Sequence, residues 1–281
     1  MRERNFEKSE KTYILLFTIT IAILVLISSS IGIFYSDFYS AETVDWRYQS
    51  IGQDISNLII VVPTLLISVY FMSKGSKGAK IIWCGTMITN IYSYVIYTFA
   101  VHFNFLFHIY CLILGLSLYS IIIFFKNNIN ENFNVWFNDK IQYKSMGIFL
   151  FIIASLFLLL WLSQSLPSAL VNKTPDNIIS GGLLTNPVHA LDFSFYLPLM
   201  FIAAMMIFKR RNSGYILAPM MMTFAIITNI NIISLMVVTM VNIHVNNIPP
   251  IIIFSILTCI CIVFLLRFLN NISKNAIKKF V

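Results

Sequence analysis

An all-α membrane protein of eight transmembrane helices, arranged as two tandem four-helix repeats with cytoplasmic N- and C-termini, is the fold class this sequence predicts. Three observations predict it. The chain of 281 residues is 58% hydrophobic and 11% charged, whereas a soluble domain carries about 25% charged residues. Its apolar runs reach the length of about 20 residues that a helix needs to cross a bilayer. Its basic residues gather in alternate loops, as cytoplasmic loops do.

These features exclude several classes. The polar intervals leave no room for a sizeable soluble domain. The formal charge of +8 would suggest nucleic acid in a soluble protein; here it marks membrane sidedness, so nucleic acid is not an expected partner. Cys84, Cys111, Cys259 and Cys261 all lie in apolar runs and form no CxxC, which gives neither a disulfide framework nor a thiolate zinc site.

In order, a basic leader (Arg2, Arg4, Lys8, Lys11) precedes the first span, Thr12 to about Phe34. That run exceeds the 7–15 residues of a signal-peptide core, although Ser28-Ser-Ser30 resembles a cleavage site. An outer segment, Tyr35 to Ser50, leads to a second span from Gly52-Gln53-Asp54 to Lys74. The third covers about 80–101, His102-Phe-Asn104 turns the chain, and the fourth ends at Lys126. In the linker 127–144, Phe133, Trp136, Phe137 and Ile141 recur at helical spacing, predicting a short helix in the headgroup layer. The fifth span is 146–166 and the outer loop 167–185. The sixth runs from Asn186 to Lys209, the seventh from Asn212-Ser-Gly214 to about Val241, and the eighth from Pro249-Pro250 to Arg267, before a tail with Lys278-Lys279. With the N-terminus inside, every Lys and Arg except Arg47 and Lys173 falls on the cytoplasmic side.

The halves 1–126 and 145–281 correspond across the linker 127–144. Eleven residues separate Pro63 from Lys74 and Pro198 from Lys209; Gly78 and Gly214 follow; Val101-His-Phe-Asn104 matches Ile243-His-Val-Asn246. Four spans per unit give both units one orientation and a two-fold along the membrane normal, a symmetry used by transporters.

Asn186-Pro-Val-His-Ala-Leu-Asp192 supplies the candidate site. At 1.5 Å per residue, Asp192 stands roughly 25 Å from Lys209, just inside a hydrocarbon core about 30 Å thick, where ionisable groups are costly and point to function. His189 shares its face. Superposing the prolines sets Asp54 on His189 and Asn57 on Asp192. His102, His108, His189 and His244, with Gln53, Asp54 and Asp192, are expected near the outer face, where a ring of imidazoles and carboxylates would suit a proton relay, a cation or a metal. Asn90, Ser93, Tyr94, Tyr97, Thr228, Asn229 and Asn231 are expected to line a polar cavity between spans three and seven. Plainer roles compete: helix-dipole stabilisation for Asp54 in a first turn, capping for Asn186 and Pro187, turn positions for His102 and His244, and lipid or core packing for Trp83 and Trp161. Pro63 and Pro198 free the carbonyls of Ile59 and Ser194.

The motifs Gly52-Gln-Asp54 and Asn186-Pro-Val-His-Ala-Leu-Asp192 resemble those of a group of prokaryotic polytopic integral membrane proteins to which no activity is assigned, so the resemblance implies no function. Three function classes are expected: a small permease or ion-coupled carrier in the cell membrane, a membrane sensor or assembly partner, and a metal-dependent lipid hydrolase. The bilayer, and a cation, proton or small solute, are the expected partners. Cofactor and oligomeric state are left open.

Overall fold

The computed structural model describes residues 2–273, with side chains from Thr12 onward. The leader's basic side chains and the tail pair Lys278-Lys279 lie outside the described residues. Among the described residues the fold is helical without strands, a single bridge joining Phe137 to Ile272. Seven helices are long and apolar enough to cross a membrane.

The first unit comprises α1 (Arg2–Phe34), a rod made of α2 (Val44–Ser56) and α3 (Val62–Ser73), α4 (Lys77–Phe99) and α5 (Phe107–Asn127). Each packs on the next, and α5 closes the ring against α1. The second unit repeats this order: α6 (Tyr143–Leu170), then past the short α7 (Asp176–Ser180) a rod of α8 (Pro187–Leu191) and α9 (Leu197–Phe208), then α10 (Gly214–Ile243) and α11 (Ile248–Leu269), which touches α6. The units join mainly through α10, which lies on both α2 and α4. Gly85 makes the α4–α10 crossing close: an added methyl would meet the Met220 carbonyl at 2.7 Å and collide with Thr223.

Helix α4 is the one full-length rod outside the seven. Its 23 residues would span about 34 Å, but its polar side chains lower its hydropathy. Packing explains the composition. Enclosed by α3, α5 and α10, α4 shows little surface to lipid and directs hydroxyls and amides to neighbouring helices, as with Asn90 Nδ2 donating to Ser117 Oγ at 2.7 Å.

Both rods break in the same way. A π-helical segment occupies Asn57–Val61 in one and Asp192–Tyr196 in the other, each ending two residues before its proline. The Val62 N–H reaches back to the Asn57 carbonyl, and the Leu197 N–H to that of Asp192. Proline removes one backbone donor and crowds the carbonyl four residues earlier; a wide turn holding that carbonyl is one way to relieve the crowding.

Three local expectations need correction. The second rod-forming helix begins at Val44 rather than at Gly52, because Thr43 caps it by accepting from the Trp46 N–H at 3.4 Å. The fifth helix runs on through Pro167 to Leu170. The linker forms no interfacial helix. Only Phe133–Trp136 makes a 3-10 turn, and Phe133, Trp136, Phe137 and Ile141 are buried against the basic end of the bundle. There Phe137 meets Phe268 at 4.9 Å and Tyr215 at 6.0 Å, while Lys77 and Lys80 lie over the Trp136 ring.

Candidate functional site

Asp54 lies in the third turn of α2, so a first-turn dipole does not explain it. It is 2% exposed and sits inside the first unit. Tyr39 donates to its Oδ2 at 2.7 Å and Tyr97 to its Oδ1 at 2.8 Å. Tyr94, Tyr97 and Tyr110 pack ring to ring beside it, with centroids 5.1–5.9 Å apart. Gly32 of α1 makes room on the remaining side, since a methyl there would collide with Asp54 Oδ2. Asn57, also buried, donates to Ser29 at 3.1 Å and accepts from Gln53 at 2.9 Å. Asp54, Gln53 and Asn57 therefore belong to one polar core between α1, α2 and α4.

Asp192 opens the π segment of the second rod. Trp161 of α6 donates to its Oδ2 at 2.6 Å, and the Tyr92 hydroxyl of α4 donates to it as well. It thus ties the second unit to the first. His189, one turn away, is buried with its ring 4.7 Å from that of Trp161 and 6.0 Å from that of Phe193. Its backbone N–H binds Asn186 Oδ1 at 3.0 Å, the cap expected of Asn186-Pro187. Below, Tyr92, Tyr196 and Phe224 form an aromatic cluster in which Tyr196 stacks on Phe224 at 4.8 Å.

The other candidates are dispersed. His102 binds Glu42 through Nδ1 at 2.9 Å and through its backbone N–H at 2.7 Å. His108 and His244 are exposed, and His244 caps α10 in the left-handed region at φ 56°. Asn229 is buried and its amide nitrogen has no protein partner. Among the described residues no three His, Cys, Asp or Glu side chains are placed to hold a metal ion. The ring of imidazoles and carboxylates is therefore not assembled.

Nor do the polar residues of α4 and α10 line a cavity between those helices. Tyr94 pairs with Ser28 at 3.1 Å, Tyr97 with Asp54, Asn90 with Ser117, and Asn231 accepts from Ser56 at 2.6 Å. The cleft that does exist, of about 490 Å³, lies between the far end of α4 and α8.

Tyr39, Tyr92 and Trp161 were not legible as site residues. Trp161, taken as a packing residue, supplies the short bond to Asp192, and Trp83 likewise donates to Thr18 at 3.0 Å. The available signal was general: a buried Tyr O–H or Trp N–H requires an acceptor.

No family model, curated protein or solved structure matches this chain. The likeness to a prokaryotic membrane group rests on its two short motifs.

Proposed function

We propose that this chain is a small ion-coupled permease of eight spans, built from the duplicated units 1–126 and 145–281 about the linker 127–144. In this reading both termini and the basic end face the cytoplasm of the cell carrying the protein in its membrane. The duplication is supported by the common cyclic helix order and by the matching π segments and prolines. It is also supported by the Gly85 crossing, whose partners in α10 lie beside the repeat counterpart of Gly85.

One observation carries the function. Each broken rod holds a carboxyl at or just before its wide turn, and every recorded partner of Asp54 and Asp192 is a neutral donor. A buried carboxylate without a positive partner is expensive, so a proton or small cation is its natural companion. Broken helices at matching places in two repeats are where transporters hold coupling ions. Asp54 and Asp192 are assigned as the coupling groups, with the tyrosines and Trp161 as the donors that hold them.

The test is flux into proteoliposomes containing the full chain, with a potential imposed and internal dyes for H⁺ and Na⁺. Uptake of one of these above protein-free vesicles, reduced to their level by Asp54→Asn or Asp192→Asn, is the expected result. Wild-type protein indistinguishable from empty vesicles for both ions would end this reading and favour a sensor or assembly role.

A further inference from the structure

The units meet along two seams that the duplication makes equivalent. The shift that carries Pro63 onto Pro198 carries Gly52 onto Pro187 and Ser56 onto Leu191. The shift that carries Gly78 onto Gly214 carries Val95 onto Asn231 and Phe99 onto Leu235. At the first seam α2 lies directly on α10. A methyl on Gly52 would meet Leu235 Cα at 2.6 Å, Ser234 donates to the Gly52 carbonyl at 2.6 Å, and Ser56 donates to Asn231 at 2.6 Å. At the second seam each of these contacts is replaced. Pro187 and Phe99 stand where Gly52 and Leu235 approach, Leu191 and Val95 stand where Ser56 and Asn231 bond, and all four line the cleft.

Bulk in place of glycine keeps the helices apart, and apolar side chains replace the hydrogen bond that would draw them together. The walls are therefore apolar, while the outer end carries Thr185 and the His102–Glu42 pair. Pro187 and Phe195 lie at roughly 33 and 21 Å from Lys209 along the rod, which places the cleft in the outer leaflet of a core about 30 Å thick. Its rim opens sideways: Phe99 is 78% and Phe195 64% exposed.

We propose that this cleft binds an acyl chain of an outer-leaflet amphiphile, with the polar head beside Thr185 and the His102–Glu42 pair. The chemistry matches on both counts, an apolar trough reached from the hydrocarbon and a polar lip at headgroup level. The assignment rests on the duplication and orientation proposed above, and not on ion flux.

The test reconstitutes the full chain in phosphatidylcholine vesicles containing a trace of phosphatidylcholine with a diazirine in one acyl chain, irradiates them, and maps labelled residues by mass spectrometry. Labelling of 95–102 and 182–195 should exceed that of the lipid-facing stretch 148–160 several-fold. Ala190→Trp, which fills the cleft, should lower it to the level of that stretch, as should the paired change Phe99→Leu and Pro187→Gly, which restores the residues of the tight seam. Even labelling of both regions, or labelling undiminished in both variants, would overturn the assignment. Labelling of the cleft in protein that moves no ion would leave the site standing and remove the permease; flux with even labelling would do the reverse.

Discussion

Gly52→Ala probes the tight seam with a single methyl group. The added carbon would meet Leu235 Cα at 2.6 Å and the Ser234 carbonyl at 2.9 Å, both backbone atoms, so no rotamer change relieves the clash. The rod and α10 must separate, which also stretches the Ser234–Gly52 and Ser56–Asn231 bonds. Overpacking of this kind costs about 1–3 kcal/mol, and each buried hydrogen bond lost adds about 1 kcal/mol. Alanine's better helix propensity returns only about 0.5–1 kcal/mol. For a chain of this size the balance lowers Tm by about 3–10 °C. The assay is thermal unfolding in detergent, followed with a thiol dye that reports exposure of buried Cys84 and Cys261. Gly115→Ala is the internal control, since an added Cβ there meets nothing within 4 Å; it should leave Tm unchanged or raise it slightly. A Gly52→Ala Tm equal to that of the control would refute the close seam and the asymmetry built on it.

Tyr97→Phe leaves Asp54 Oδ1 without its donor at 2.8 Å and should cost about 1–3 kcal/mol, read as a lower Tm and reduced flux. Trp161→Phe keeps the ring against His189 but removes the indole donor to Asp192; flux should fall with little change in helical content by circular dichroism. Phe137→Ala should destabilise by about 3–5 kcal/mol, because the ring is buried between Phe268 and Tyr215; a surface linker would give no change in Tm. In a cysteine-free background, cysteines at 43 and 175 should react with an impermeant maleimide from outside intact cells and those at 76 and 212 should not. Labelling at 212 would reverse the orientation.

Long-range packing decided what the sequence could reveal. The spans were legible because apolar runs between basic turns depend on local composition, and the paired rods because Pro63 and Pro198 stand at equal distances from Lys74 and Lys209. The start of α2 was hidden: its first two turns carry Asp45, Trp46 and Arg47 above the apolar run, and only the Thr43 cap marks the boundary. The partners of Asp54 lie 15 and 43 residues away and that of Asp192 lies 31 away, so no local pattern joins them. The interior of α4 reads as a poor membrane helix when hydropathy is taken alone, because the neighbours that satisfy its polar groups come from other helices. The linker's helical spacing of aromatics marked burial correctly but not the kind of backbone that achieves it.

The two wide turns make chain length, rather than side-chain identity, the sensitive variable in each rod. A π turn carries one residue more than an α turn. Deleting a single residue from Asn57–Val61 would return the rod to regular α geometry while every remaining amino acid stayed the same. Everything before the deletion would then rotate by about 100° relative to α3. Asp54 would swing out of reach of Tyr39 and Tyr97, and Ser56 would leave Asn231. A one-codon deletion between two ordinary apolar residues would thus undo both the carboxyl's surroundings and the join between the units, where most apolar replacements at the same positions would do neither.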